Sequence, residues 1–151
     1  LADIAEGSAL VARRMGHEPR VAFLSYSNFG NPEGRWLENL RGAIKVLDAR
    51  GAEFEYEGEM SPDVALNPKQ LANYPFARLS GPANVLIMPG LQSANISAKL
   101  LRELGGDSII GPILMGMEKS VQIAPMTATA TDLVTLAVLA AGSARERKLA
   151  V

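Results

Sequence analysis

Whatever chemistry this chain performs, it performs without cysteine and with a single histidine. That excludes a thiolate nucleophile, a zinc–thiolate site and a disulfide framework together. His17 stands beside Gly16, where a solvated turn residue is a better reading than a base or ligand. A Ser–His triad would have to use it, and nothing points there. The carboxylates are scattered; Glu53, Glu55 and Glu57 share one side of a strand-like run and are most simply its solvent face. No glycine pattern matches a P-loop or a dinucleotide fingerprint.

Three junctions are more suggestive. In α/β sheets ligands bind beyond the carboxyl ends of strands, where helix N-termini offer free N–H groups to anions. Residues 25–31, with Ser27 and Asn28 among them, form one such junction, and residues 89–95, with Ser93 and Asn95, form another. Residues 116–129 lead into the last helix. The plainer alternative is that Asn31, Ser93 and Thr129 cap helices. For Thr129 it is strong, because Thr129-Ala130-Thr131-Asp132 fits a capping box with the carboxylate at the returning position. Local grounds favour caps over a phosphate site.

These residues need a scaffold, and 151 residues are one domain's worth. Lys plus Arg (15) nearly cancels Asp plus Glu (16), so there is no basic field to recruit nucleic acid or acidic lipid. An aromatic content of 5% is too low for a base-stacking platform. No apolar run reaches the length of a membrane span and no secretory signal is present, so the expectation is a cytoplasmic protein with no membrane partner. The chain opens on Leu1 inside an apparent helix, which reads as a piece of something longer.

Leu1, Ile4, Val11 and Met15 share a helical face that Gly16 can close. The run 21–24 is continuously apolar, as a strand covered on both faces requires. Asn31 reads as an N-cap and Pro32 as the first residue of a helix with Trp36, Leu37, Leu40, Ile44 and Leu47 inward, ending near Gly51. A strand through Phe54 and Tyr56 with one wet face follows, then a proline-punctuated stretch and a buried strand at 85–88. Ile96, Leu100, Leu101 and Leu104 predict a helix ending at Gly105-Gly106. Residues 109–115 are strand-like, though Pro112 argues for an edge or a break. A short strand at 121–123 and a final helix over about 131–145 complete the pattern. That helix is apolar nearly all round from Leu133 to Ala141, so it needs cover on several sides, and its basic tail (Arg145, Arg147, Lys148) suits a helix C-terminus. Alternating strands and helices predict a three-layer α/β/α fold with a mostly parallel sheet.

At the junctions the chain resembles the phosphate acetyl/butyryl transferase family. The stretch 18–27, EPRVAFLSYS, looks like that family's strand and loop. Residues 81–89, GPANVLIMP, followed by Ser93, Asn95 and Lys99-Leu100, follow its "ANVLIFP…SGNI…KL" pattern. Residues 111–117, GPILMGM, with Lys119 and Val121, are similar to its "GPILQGL.KPV" element. The likeness spans essentially all of 1–151 and implies the family's second subdomain plus its returning C-terminal helix, within a longer chain.

Departures from the pattern are as informative. Active members continue with "NDLSRG", whose Ser and Arg lie at the acetyl-transfer site; here Pro125 and Met126 stand in those places. Asp132 still aligns with the acid that assists the thiol of CoA. The arginine of the family's "VQR" element has become Glu103, with Arg102 beside it. Phosphoryl–acetyl transfer needs a cation for the phosphate and a donor for the oxyanion, and proline and methionine supply neither. Residues 27–30, SNFG, and the later VQIA…TAT look like the version fused behind NADP-dependent malic enzymes.

The resemblance therefore implies a regulatory, homo-oligomerising (dimer or higher) domain that binds acetyl-CoA or a related CoA ester. Ser27, Asn28, Ser93, Asn95, Lys99 and Asp132 are its candidate ligand residues. It implies no catalytic residue and no metal ligand in this segment, with NADP and a divalent metal (Mg or Mn) expected in the malic portion. The competing reading is an active phosphate acetyltransferase that converts acetyl-CoA and phosphate; Pro125-Met126 favours the first.

Overall fold

The computed structural model describes residues 1–105 and 109–149, with side chains through 142. It divides into two compact units, Leu1–Lys99 and a second that begins at Leu100. The first is an α/β unit around a three-stranded parallel sheet in the order β2-β1-β3. Its elements are α1 (Ala2–Arg14), β1 (Arg20–Leu24), α2 (Glu38–Arg50), β2 (Glu55–Met60), α3 (Pro62–Leu66), α4 (Pro68–Leu71) and β3 (Val85–Ile87).

Strand β1 decides the layering. Val21 and Phe23 point into a core shared with Ala5 and Ala9 of α1 and Leu40 and Leu47 of α2. Ala22 and Leu24 point the other way, against Met60, Val64, Ala65 and Leu71. Side chains alternate across a strand, so four apolar residues in a row demand a helical layer on each face. Burying Phe23 alone is worth about 1.5–3 kcal/mol.

Helix α1 packs differently from its sequence reading. Ala2, Ala5 and Ala9 are buried, while Ile4 is 58% and Met15 43% exposed. The small face is the one that lets a helix lie close on a sheet; of the residues that hydrophobicity selects, Leu1 packs against the core and Val11 is half-buried, while Ile4 and Met15 turn outward. Its end is as expected: Gly16, at φ 84, donates to the Arg13 carbonyl while His17 N donates to that of Ala12. Paired bonds of this kind close a helix through a left-handed residue. His17 itself is exposed in that turn.

Asn31 and Pro32 start no helix. Asn31 instead exchanges backbone hydrogen bonds with Asn28 at 3.0 and 3.1 Å, and the chain reaches α2 only through a short 3-10 turn at Arg35–Leu37. Trp36 is consequently 81% exposed, and Leu37, Leu40, Ala43, Ile44 and Leu47 make the buried stripe. Gly51, at φ 65, closes α2 as its position predicts.

Strand β2 corrects the idea of a wet glutamate face. Tyr56 pairs with Val21 and Gly58 with Phe23, but Leu24 pairs with Met60, so Glu59 is skipped in a bulge. The extra residue reverses the parity of the strand. Tyr56 therefore joins one core and Met60 the other, and Glu57 and Glu59 are buried.

In the second unit, the end of α5 (Leu91–Leu104) is followed by extended chain and by α6 (Ala130–Leu149). The expected strands at 109–115 and 121–123 do not form. Extended chain becomes a strand only by pairing, Pro112 lacks an N–H, and none of the described residues here makes a ladder. Gly106, expected at the end of α5, and the side chains of the basic residues at 145, 147 and 148 lie outside the description. No residue of α5 is buried; Ile96, Leu100, Leu101 and Leu104 are 53–80% exposed. Among the described residues no helix is long and apolar enough to cross a membrane.

Gly58 supplies a stability test. It sits at φ 148, and a Cβ there would lie 2.7 Å from the Phe23 carbonyl oxygen and 2.9 Å from the Phe23 Cβ. Both obstacles belong to the central strand and cannot swing aside. Gly58→Ala is expected to cost at least about 2 kcal/mol, read as a lower midpoint in urea unfolding. A midpoint matching the parent would contradict this packing.

Candidate functional site

The junction after β1 is organised from beneath by one carboxylate. Glu59 is 1% exposed. Its Oε1 accepts from the Ser27 hydroxyl at 3.2 Å, Gly30 N at 2.8 Å and Arg41 Nη2 at 2.9 Å. Its Oε2 accepts from Arg41 Nε at 3.0 Å. Burial alone would raise the Glu59 pKa, but the Arg41 hydrogen bonds and charge and the Gly30 N–H outweigh it, and the group stays below the ordinary carboxylate range.

Ser27 and Asn28 are engaged in this framework. Ser27 is wholly buried, its hydroxyl turned to Glu59. Asn28 Oδ1 accepts from Ser61 N at 2.7 Å and Ser61 Oγ at 2.9 Å, tying the loop to α3. Phe29, at φ 51, takes a conformation uncommon for a side chain of its size, and its ring packs 5.0 Å from those of Tyr74 and Phe76. Ser27 and Asn28 thus shape the loop. As placed, Ser27 offers no surface to a ligand, which corrects the sequence reading for that residue.

Beside the loop, at the carboxyl ends of β1 and β3, lies a groove of about 380 Å³. Leu24, Leu37, Leu40 and Met88 form part of its lining, with Tyr26 and Trp36 contributing aromatic surface. On α5, Ser93 does not cap; its hydroxyl donates to the Gly90 carbonyl at 2.8 Å. Asn95 and Lys99 are exposed, and their spacing of four puts them on one side of the helix.

The second unit contains its own cleft, about 340 Å³, lined by Arg102, Ile109, Ile110, Pro125, Asp132 and Leu136 among others. Asp132 completes the capping box as expected. Its Oδ2 accepts from Thr129 N and from Thr129 Oγ1, each at 2.8 Å, and Asp132 N donates to Thr129 Oγ1 at 3.2 Å. The backbone and side-chain bonds from Thr129, with Arg102 adding its charge, hold this carboxyl below its usual range. It is a firmly ionised group, poorly suited to proton transfer near neutrality.

Pro125 forms part of the cleft wall, and Met126 stands wholly in solvent. Thr135 donates its hydroxyl to the Thr131 carbonyl at 2.9 Å. Arg102 reaches the Gly111 carbonyl with one nitrogen at 3.3 Å. Among the described residues no three His, Cys, Asp or Glu side chains gather as a metal site would require. The cleft combines polar groups with an apolar wall, and among the described residues it presents no activated nucleophile. Sequence reasoning noticed Arg102 only as a neighbour of Glu103. It missed Glu59 and Arg41 altogether, because only the bulge brings that glutamate inward.

A family model described as phosphate acetyl/butaryl transferase matches residues 1–141. An NADP-dependent malic enzyme of Rhizobium meliloti (strain 1021) is 58% identical over 144 residues, 95% of this chain and 19% of that enzyme. A phosphate acetyltransferase of Bacillus subtilis (strain 168) is 34% identical over 145 residues, 95% of this chain and 45% of that protein. Among solved structures, a phosphotransacetylase from Streptococcus pyogenes gives a TM-score of 0.89 at 32% identity, covering 96% of this chain and 44% of that one. The chain spans about a fifth of the malic enzymes it matches.

The Glu59 cluster yields a signed pH dependence. Because its folded pKa is depressed, its stabilisation is present above the unfolded carboxylate range and disappears as pH falls toward the folded value. Glu59→Gln is expected to cost about 1.5–3 kcal/mol at pH 7, the scale of hydrogen bonds to a charged group. The gap from the parent should narrow on acidification, followed by denaturant unfolding across pH. A gap independent of pH would deny the carboxylate its role.

Proposed function

The chain belongs to the phosphate acetyl/butaryl transferase family, and from that premise we propose that it is the CoA-ester-sensing, oligomerising part of an NADP-dependent malic enzyme, binding acetyl-CoA or a related ester without transferring its acyl group. The whole protein would oxidatively decarboxylate malate to pyruvate in the cytoplasm, with NADP and a divalent metal (Mg or Mn) held outside this segment. The segment itself corresponds to the family's second subdomain with the returning helix α6.

The observation that carries this reading is the state of the second-unit cleft. Where the family resemblance expects a serine and an arginine, Pro125 is part of the wall and Met126 projects into solvent. The remaining acid, Asp132, is engaged in capping α6. Acyl transfer to phosphate needs a held phosphate and a stabilised oxyanion; among the described residues lining this cleft the one cation is Arg102, with the ionised Asp132 on the same lining. The likeness to malic enzymes, stronger than that to the transacetylase of Bacillus subtilis, supports the fused setting.

Oligomerisation is supported by α6. Leu133, Val134 and Val138 are 50–65% exposed while Leu136 is buried, so several sides of one helix are apolar. Contiguous apolar surface of that kind marks an interaction face, and a closed two-fold pair is the commonest way to cover it.

Three outcomes are expected. Purified full-length protein should form no acetyl phosphate from acetyl-CoA and phosphate; steady turnover would restore the transferase reading. Acetyl-CoA should change malate turnover several-fold, the scale of a coupling of about 1–3 kcal/mol, and the change should vanish when this segment is removed. Identical curves with and without it would remove the sensor. Sedimentation at micromolar concentration should give a dimer or larger species; a clean monomer would leave the α6 surface unexplained.

A further inference from the structure

We infer that Tyr26 is a latch on the apolar groove at the carboxyl ends of β1 and β3. Its ring seats in a notch left by the missing side chain of Gly34, and that seating sets how far the floor of the groove opens to solvent. The inference goes beyond the CoA-ester reading and does not depend on it.

The notch comes first. A Cβ on Gly34 would overlap the Tyr26 hydroxyl and lie 3.2 Å from Cζ of the same ring, with Leu37 Cδ1 at 3.8 Å. The backbone of Gly34 is extended, a conformation open to any residue, so dihedral angles do not call for glycine there. What the position requires is room, and the ring takes it. Gly58 makes the contrast. There a Cβ meets the central strand, whereas at Gly34 it meets the far end of a side chain. A strand cannot step aside; a ring can.

The parts on either side of the ring are fixed. Ser25 N donates to the Met60 carbonyl at 2.9 Å, and the Ser27 hydroxyl donates to the buried Glu59. The chain is thus tied down one residue before Tyr26 and one residue after it. Leu37 and Leu40, each 1% exposed, belong to the core of the first unit. Between these rigid parts Tyr26 is 58% exposed, and its hydroxyl makes no hydrogen bond to another described residue. An exposed side chain held by shape alone passes rapidly between staggered rotamers.

The groove shows what that motion changes. Tyr26 and Trp36 give it an aromatic side, and Leu24, Leu37 and Met88 are apolar parts of its lining. Leu37 lines the groove yet is almost wholly covered, and its Cδ1 lies near the point that the Tyr26 hydroxyl occupies. With the ring seated, Leu37 is shielded. With the ring turned out, apolar floor meets water, which is unfavourable, so the seated form is the resting one. An apolar group that took the place of the ring would cancel that cost.

Hydroxyl-radical footprinting of the full-length protein, read residue by residue by mass spectrometry, tests the latch. Labelling of Leu37 should be low in the parent. Gly34→Ala should raise it severalfold with a thermal midpoint close to the parent's, because the ring relieves the overlap by swinging aside. Tyr26→Ala should raise it as well, since the cover is gone. The two changes should not add: Gly34→Ala placed on Tyr26→Ala should bring no further labelling, because its effect runs through a ring already absent. Unchanged Leu37 labelling in either single variant would overturn the inference, and so would labelling that adds in the pair. A midpoint in Gly34→Ala lowered as far as that of Gly58→Ala would also overturn it, by showing that the ring is held fast.

Discussion

A strand with no wet side must satisfy its backbone through its neighbours and cover both of its faces with apolar layers. Strand β1 imposes that constraint on the first unit. Parallel partners β2 and β3 take its two edges, and helices from before and after it close its two faces. Parallel pairing also fixes where the strands end together, which is why the loop at 25–31, the groove beside it and the start of α5 lie at the carboxyl end of the sheet. The location of candidate sites in this unit follows from four apolar residues, 21–24.

That much was legible in the sequence, since an unbroken apolar run of strand length has few other readings. The left-handed closures at Gly16 and Gly51 and the capping box at Thr129 were legible too, because each depends on residues a few positions apart. What escaped depends on distant partners. Alanines 2, 5 and 9 are weakly apolar, and only the closeness of the sheet makes theirs the inner face of α1. Asn31-Pro32 has the composition of a helix start, yet the loop uses it to turn back on Asn28. The strands expected at 109–115 and 121–123 have suitable side chains and lack a neighbour, and pairing is a property no single segment can display.

The glutamates show the same limit from the side of function. Glu55 receives Ser80 N at 2.8 Å and Ser80 Oγ at 3.0 Å. Glu57 receives Arg78 N at 2.9 Å, while Arg78 also lies 4.7 Å over the Tyr56 ring and bonds Asp48 at 2.8 Å. Glu59 holds the loop after β1. Glu55 and Glu57 read as part of a solvated face, yet they and Glu59 each anchor a different loop. An ionised carboxylate accepting several N–H and O–H donors is a strong organiser of irregular backbone, where no ladder can do that work. Of the candidate site, therefore, the sequence located the junctions but not the direction of the side chains at them: Ser27 is turned inward, and Arg102 lines the cleft.

Trp36 is the chain's only tryptophan, and it stands largely in water beside a groove lined by Leu24, Leu37 and Met88. An indole in that position has an optical character set by its surroundings: red-shifted, weakly emitting and open to dissolved quenchers. A ligand or protein surface that covered the Trp36 side of the groove would dehydrate this ring. The fold thus carries a native chromophore at one defined point of its surface, and selectively excited indole emission of this segment reports on the surroundings of that point.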